Sequence, residues 1–362
     1  MAAPSTSTAT VLLLVLLACG GATAQVTVPA RAVELHVPER ARRRSRGQRH
    51  RRDGRRRRRA VGAGHVRVRR LPDGQRQHND LTSLAKANYL PYGIDLAGGP
   101  TGRFSNGYTM VDAIAELLGL PLLPSNNEAS NADSDAGALQ GVNYASAAAG
   151  ILDNTGQNFV GRIPFNQQIK NFQTTLNQIK GKLGAGKLAS SLGRSIFYVG
   201  MGSNDYLNNY LMPNYNTRNE YNGDQYSTLL VQHYTKQLTS LYNLGARRFV
   251  IAGVGSMACI PNMRARNPTN MCSPDVDELI APFNSKVKGM VDSLNANLPR
   301  AKLIYIDNFE MISECPNRNT YIFWDAFHPT ERVNVLLGKA AYSGGTDLAY
   351  PMNIQQLAAW QP

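Results

Sequence analysis

Helical and strand patterns alternate along the second half of the chain, and this alternation limits the possible folds more than any other feature. The apolar run SIFYVG begins at Ser195, a helical pattern covers residues 226–244, and the apolar run RRFVIAGVG covers 247–255. A second helical pattern at 277–298 is followed by AKLIYIDN at 301–308. Near-continuous apolar strands separated by amphipathic helices are typical of a parallel sheet covered on both faces. The sequence therefore predicts an α/β fold, with its chemistry in the polar turns that follow the strands.

The net charge of +14 comes from one short segment. Residues 31–76 contain 18 arginines, no lysine and 4 acidic residues, which leaves 21 basic and 21 acidic residues in the rest of the chain. Such a segment is expected to be disordered, because it has much like charge and little apolar surface. A basic arm that binds nucleic acid or an anionic membrane is one interpretation. The absence of interleaved aromatic residues argues against it, so we expect no nucleic-acid partner.

Residues 1–25 have the pattern of a secretory signal peptide. An apolar run from Val11 to Cys19 is followed by Ala22-Thr23-Ala24, an A-x-A cleavage site before Gln25. A buried N-terminal helix is the alternative. No later stretch reaches the roughly 18 to 20 apolar residues of a transmembrane helix, so we expect a secreted protein without an integral membrane span.

An acidic residue and a histidine lie close together in WDAFHPT, near the C-terminus. Asp325 and His328 are three residues apart, so a tight turn or helix would let the carboxylate orient the imidazole toward a hydroxyl nucleophile. The alternative is a surface pair at the start of a helix, with Pro329 in its first turn.

Two further turns could supply hydrogen-bond donors to a reacting group. Asn204 lies in GMGSNDY, where an apolar run ends, and its amide could donate to an oxyanion. Gly107 lies in TGRFSNGYT and could offer a backbone N–H. The alternatives are ordinary turn chemistry at Asn204 and a simple helix entry at Gly107.

In this order, RFSNG, GSND and WDAFHPT resemble the second, third and fifth sequence blocks of plant GDSL esterase/lipases, in the SGNH hydrolase superfamily. The likeness runs from about Asn79 to the C-terminus and includes GVNYASAAAGIL and PNRNTYIFWDAFHPTERVN. It implies a flavodoxin-like, three-layer α/β/α fold and hydrolysis of carboxylic esters through a serine acyl-enzyme. It also implies that Gly107 and Asn204 are oxyanion donors, that His328 is the general base and that Asp325 orients it.

Two departures from the family pattern matter. The first block, a strand that runs into G-D-S-L with the nucleophilic serine, belongs just before NDLTSLAKANYLPYG, where this chain has its arginine-rich segment. We therefore expect the first strand to be missing or disordered and find no identifiable nucleophile; Ser83 lies too far downstream. A cysteine-bearing stretch is also absent before ECPNRNTY. Cys259 and Cys272 could close a loop, which leaves Cys315 without a partner.

The genetic code suggests how the first block was lost. When residues 62–77 are back-translated and read one base later, the codons permit V-P-A-T-F-V-F-G-D-S-L-T-D-N-G-N at every position. We therefore interpret residues from about 26 to 77 as at least partly an out-of-frame translation. The chain in which this peptide replaces residues 62–77 is called the restored chain below.

These observations predict three segments: a signal peptide at 1–25, an arginine-rich segment at 26–77 and a hydrolase domain at 78–362. Cysteine and histidine show no metal-ligand spacing, and ester hydrolysis through a serine needs no metal or cofactor. We expect a monomer that acts on lipid or acylated small-molecule esters. The alternatives are a catalytically inactive protein that keeps the fold and a basic nucleic-acid binder.

Overall fold

The computed structural model describes the backbone of residues 13–17 and residues 81–125, 141–313 and 322–362. These residues belong to one compact unit. The arginine-rich segment at 26–77 and Cys315 lie outside the described residues, so the predictions about them and about the segment boundaries stay predictions. No helix in the described ranges combines the length and the apolar character needed to cross a bilayer.

Within the described ranges, six strands form one sheet in the order β2-β1-β3-β4-β5-β6. All neighbours pair in parallel except β5 and β6, which are antiparallel. The strands are β1 (Leu13–Leu17), β2 (Gly141–Asn143), β3 (Ile196–Gly200), β4 (Arg248–Ala252), β5 (Lys302–Ile306) and β6 (Ala349–Tyr350).

Helices cover both faces of this sheet. The longer helices are α1 (Met110–Leu117), α2 (Phe165–Leu183), α3 (Ala185–Arg194), α5 (Gly223–Asn243), α7 (Pro274–Asn297) and α9 (Glu331–Ser343). The shorter helices are α4 (Thr217–Glu220), α6 (Pro261–Arg266), α8 (Asn308–Ser313) and α10 (Ile354–Ala359). Single turns lie at Gln157–Phe159 (3₁₀), Ser203–Asp205 (α) and Tyr206–Tyr210 (π). The helices predicted at 226–244 and 277–298 are confirmed with small changes at their ends.

The side chains of β3 show how the layers are built. Phe197 and Val199 point into a core cluster formed with α2, α5 and α7, while Ile196 and Tyr198 point into a second cluster formed with α1, α9 and α10. Successive side chains of a strand alternate between the faces of a sheet, so a strand buried on both faces must be apolar throughout. The predicted three-layer α/β/α fold around a parallel sheet is confirmed.

The prediction that the first strand is missing is wrong for this structure. Leu13–Leu17 lies between β2 and β3, with Leu13 opposite both Gly141 and Ile196. The interior of a parallel sheet needs an apolar segment whose backbone hydrogen-bonds on both sides, and the apolar run near the N-terminus meets that need. However, the residues that follow it, Ala18-Cys19-Gly20, contain no serine. Leu13–Leu17 therefore fills the sheet position of the first strand, but the sequence block that carries the nucleophile is absent.

Cys259 and Cys272 form a disulfide with an S–S distance of 2.02 Å, which confirms the predicted loop closure. The bond joins the loop after β4 to the segment just before α7. The same segments are joined again by Asp277, whose carboxylate accepts hydrogen bonds from the amides of Met257 and Ala258. The loop at the carboxyl end of β4 is thereby held against α7.

Candidate active site

Asp325 and His328 lie in a tight turn just before α9. The backbone amides of Phe327 and His328 donate to Asp325 Oδ1 at 2.8 and 2.7 Å, so the carboxylate closes the turn. Trp324 N donates to the carbonyl oxygen of His328 at 2.7 Å. His328 is only 9% exposed, so the alternative of a surface pair at a helix start is wrong.

The carboxylate of Asp325 also holds the imidazole. His328 Nδ1 lies 2.7 Å from Asp325 Oδ2 and 2.9 Å from Oδ1. Burial alone would raise the pKa of Asp325, but the attraction and hydrogen bond of His328, with the two turn amides, outweigh burial and lower it. Asp325 is therefore a carboxylate at neutral pH, and the proton between the two groups resides on Nδ1.

The other ring nitrogen of His328 has no hydrogen-bond partner within the described residues, although it is buried. Because Nδ1 carries the proton, Nε2 presents a lone pair. One face of the ring packs on Phe104, with centroids 4.7 Å apart. An imidazole that is oriented at Nδ1 and has no partner at Nε2 within the described residues is the arrangement that a general base requires.

Tyr92 also contacts Asp325, and no sequence motif predicts this contact. Its hydroxyl donates to Asp325 Oδ2 at 2.8 Å, from a segment 233 residues earlier in the chain. Burial and then the nearby Asp325 charge raise the pKa of Tyr92, so the phenol stays protonated and can only donate here. Tyr92 is a positioning residue for the carboxylate.

We expect Tyr92→Phe in the restored chain to lower kcat by about 10-fold and leave KM unchanged, because one hydrogen bond to a charged acceptor is lost. Rates with p-nitrophenyl butyrate would measure this. Tyr89→Phe is the matched control, since the Tyr89 ring lies edge-on to Tyr92 with centroids 5.4 Å apart and is 49% exposed. Equal losses in both variants would assign Tyr92 a packing role only.

Asn204 lies at the carboxyl end of β3, in the one-turn helix Ser203–Asp205, and is completely buried. Its Nδ2 donates to the carbonyl oxygen of Ala149 at 2.8 Å, and its Oδ1 accepts from Asn208 Nδ2 at 2.7 Å. The amide is therefore locked in one orientation. The strand end predicted for GSND is confirmed, and the segment GVNYASAAAGIL packs directly against it.

Asp205, next to Asn204, anchors that segment. Its carboxylate accepts hydrogen bonds from the amides of Ile151 and Leu152 at 2.9 and 3.1 Å and from Thr155 Oγ1 at 2.7 Å. Burial raises the pKa of Asp205 to about 6, against the opposing effect of these donors. The folded state therefore favours the protonated form more strongly than the unfolded chain does.

This pKa shift predicts a pH-dependent stability. Because the folded pKa lies above the unfolded value, Asp205 contributes most below about pH 4, and its contribution falls as the pH rises to about 6. Relative to Asp205→Asn, the chain should lose about 3 kcal/mol of unfolding free energy over that interval. Urea unfolding at pH 4 and 7 would measure the difference. Asp347→Asn, an exposed carboxylate, is the control; a constant gap between the chain and Asp205→Asn would contradict the prediction.

Gly107 lies against Glu331, the first residue of α9, which is three residues after His328. A Cβ at this position would run into the carboxyl group of Glu331. Glu331 Oε1 accepts from the amide of Tyr108 at 3.1 Å, and Glu331 N donates to Asn106 Oδ1 at 2.8 Å. A side chain here would therefore displace the Glu331 carboxyl group from its hydrogen bond with Tyr108. The Gly107 N–H makes a long contact of 3.4 Å with Ser105 Oγ.

Contacts connect the three sequence blocks. Phe104, which packs on His328, belongs to a buried cluster with Ala147 and Ala148, and the next residue, Ala149, accepts the hydrogen bond from Asn204. The turn of Asp325 is also joined to the carboxyl side of β4, because Asn262 N donates to the carbonyl oxygen of Ala326. Tertiary structure therefore links RFSNG, GSND and WDAFHPT around one region.

The hydroxyl of Ser83, the nearest serine downstream of the expected nucleophile, takes part in a turn. Its Oγ accepts from the amide of Ala85 at 3.2 Å and contacts the carbonyl oxygen of Phe159 at 3.4 Å. Over the residues that the structure describes, no group of three His, Cys, Asp or Glu side chains could hold a metal ion.

The sequence also matches proteins of known family. The family model described as GDSL-like Lipase/Acylhydrolase matches residues 74–341. The chain belongs to this family. The match begins after most of the arginine-rich segment and includes the Asp325–His328 turn, Asn204 and Gly107.

Three GDSL esterase/lipases of Arabidopsis thaliana illustrate the relationship. At1g71691 is 54% identical over 318 residues, which cover 78% of this chain and 82% of the relative. At1g71250 is 41% identical, with 77% and 84% covered, and At1g29670 is 42% identical, with 78% and 87% covered. A solved lipolytic G-D-S-L protein from Veillonella parvula aligns at 13% identity with a TM-score of 0.33, over 63% of this chain and 91% of that one, which is too low to add support.

These matches confirm the resemblance to plant GDSL esterase/lipases. As a GDSL family member, the chain is by family a hydrolase.

Proposed function

We propose that this GDSL protein derives from a secreted carboxylic-ester hydrolase that works through a serine acyl-enzyme, and that the chain as given lacks the nucleophile. The observation that carries the proposal is the buried His328, held by Asp325 at Nδ1 and unpartnered at Nε2. An imidazole oriented in this way serves hydroxyl nucleophiles in acyl transfer. The family match supports the same reaction class.

In the restored chain, the reaction would proceed in two steps. His328 Nε2 takes the proton of the block serine at position 71 as its oxygen attacks the ester carbonyl carbon, and the imidazolium is stabilised by Asp325. The tetrahedral oxyanion accepts hydrogen bonds from Gly107 N–H and Asn204 Nδ2. His328 then protonates the leaving alcohol. Water, deprotonated by His328, attacks the acyl-enzyme and releases the carboxylic acid and the free serine.

We expect Asn204→Ala in the restored chain to lower kcat by about 10²–10³ with little change in KM, the usual loss for one oxyanion donor. Steady-state rates with p-nitrophenyl butyrate would measure it. Asn219→Ala, an exposed residue of α4, is the control. A raised KM with constant kcat would make Asn204 a substrate contact or a structural residue.

Leu13–Leu17 lies within the predicted signal peptide and also forms β1, so removal of the signal peptide would remove a strand of the sheet. Cleavage after Ala24 would remove Leu13–Leu17 and leave the facing backbone groups of β2 and β3 unpaired. In the restored chain, the peptide VPATFVF supplies an apolar run that can occupy this place after the leader is removed. A mature, secreted and folded form is therefore expected of the restored chain, as a monomer that acts on lipid or small-molecule esters.

The second candidate function is a binding protein that keeps the fold without catalysis. The specific observation in its favour is the absence of the G-D-S-L block from this chain. A fluorophosphonate probe separates the two, because it reacts with activated serines. The restored chain should be labelled stoichiometrically at the block serine, and the chain as given should not be labelled. Labelling of the chain as given at the rate of a serine hydrolase would show that another nucleophile exists.

A further inference from the structure

A pocket of about 440 Å³ lies at the amino ends of the parallel strands. Its lining includes Gly193, Arg247 and Arg300, which lie one to three residues before β3, β4 and β5. Asn204 follows the carboxyl end of β3, so this pocket and the candidate active site lie at opposite edges of the sheet. A volume of this size is sufficient for a small organic ligand.

The charge of the lining has one sign. Lys180, Arg247 and Arg300 line the pocket, and none of its lining side chains is Asp or Glu. None of these three side chains forms an ion pair within the described residues. Pro362 closes one side, and even if its carboxylate is counted, the cations remain in excess. Clustered cations without acidic partners raise the local concentration of anions.

One of the cations, Arg247, is held in place by the backbone and the aromatic ring around it. Arg247 Nη1 donates to the carbonyl oxygens of Tyr242 and Ala246, both at 2.8 Å, and the guanidinium lies 4.2 Å from the centroid of the Tyr242 ring. These bonds use one guanidinium nitrogen and leave Nε and Nη2 available as donors. Arg300 has a φ of 57°, in the left-handed region where Gly or Asn is more usual.

Three leucines contribute apolar surface to the lining. They are Leu188, Leu192 and Leu244, and they lie beside α3, while Asn243 adds a polar side chain. Gly184, the residue before α3, has no side chain to cap the first N–H groups of this helix. An apolar surface next to cations and a helix N-terminus suits a ligand with an anionic head and a short apolar body.

We propose that this pocket binds a phosphate monoester with a short alkyl body. A dianionic phosphate matches the excess of cations better than a singly charged carboxylate does, and an arginine fork binds it with two parallel hydrogen bonds. The apolar body then lies on the leucine side chains. The pocket is separate from the candidate active site, so its ligand binding does not depend on whether the nucleophile is present.

Titration calorimetry of the full chain with n-hexyl phosphate tests the proposal, with inorganic phosphate and hexanoate as comparison probes. Hexyl phosphate should bind at least about 10-fold more tightly than either, because each comparison probe lacks one of the two features that the pocket recognises. The double variant Arg247→Ala/Arg300→Ala should bind it about 100-fold more weakly. Near-UV circular dichroism would verify that the variant is folded.

The matched control is Lys170→Ala/Lys339→Ala, which removes the same charge from exposed positions outside the lining. It should keep the affinity of the unmodified chain. Equal weakening in both double variants would mean non-specific attraction and overturn the site, as would no measurable binding. Hexanoate binding as tightly as hexyl phosphate would overturn the phosphate assignment, and inorganic phosphate binding equally well would overturn the role of the leucines.

Discussion

The chain as given should be essentially inactive on p-nitrophenyl acetate and butyrate, whereas the restored chain should hydrolyse both. The expected gain is at least about 10³-fold, because covalent catalysis is regained along with the serine. In the described structure, the base and its carboxylate are already in place, with Nε2 of His328 free. The measurement is the rate of p-nitrophenolate release, corrected for the uncatalysed reaction.

A restored chain with alanine in place of the block serine is the control, because it regains the strand without the nucleophile. We expect its rate to fall back toward that of the chain as given. If this control retained the full activity, the serine of the shifted-frame peptide would not be the nucleophile. If the restored chain itself folded and remained inactive, the interpretation of residues 62–77 as an out-of-frame block would be wrong.

His328→Ala in the restored chain should lower kcat by about three to six orders of magnitude, as for other bases of serine hydrolases. Without the imidazole, no group accepts the proton of the serine, and Asp325 Oδ2 keeps only Tyr92 as a side-chain donor. Rates with p-nitrophenyl butyrate would measure the loss. Removal of a base reduces the chemical step far more than substrate binding, so KM should change little.

His233→Ala provides the matched control, since His233 lies on α5 and makes no contact with Asp325 or Tyr92 among the described residues. Its kcat should equal that of the restored chain. Circular dichroism spectra of both variants should match that of the restored chain, and this comparison checks that loss of the buried His328 ring leaves the fold intact. Undiminished turnover in His328→Ala would exclude His328 from the mechanism.

Much of the fold could be predicted because each signal is local. The helices α5 and α7 and the strands β3 to β5 follow from the periodicity of apolar residues, which depends only on neighbours along the chain. The Asp325–His328 contact was also within reach, since a three-residue spacing fits a tight turn. The close sequence spacing of Cys259 and Cys272 likewise allowed their disulfide to be anticipated.

Other features arise only from packing over long distances. The hydroxyl of Tyr92 reaches Asp325 across 233 residues, and the carboxyl group of Glu331 lies where a Cβ of residue 107 would be; neither contact leaves a pattern in the sequence. The antiparallel β6 is two residues long, too short to show any alternation.

Taken alone, the sequence determined the α/β class, because local periodicity encodes it directly. The three chemical blocks and the absence of the G-D-S-L serine followed from the resemblance to plant GDSL esterase/lipases. Only the tertiary structure decided that Leu13–Leu17 occupies the interior of the sheet. Any sufficiently apolar segment can satisfy the unpaired backbone of β2 and β3, so the occupant is chosen by competition within the whole chain. The orientation of His328 was decided in the same way, by Phe104, Asp325 and burial acting together.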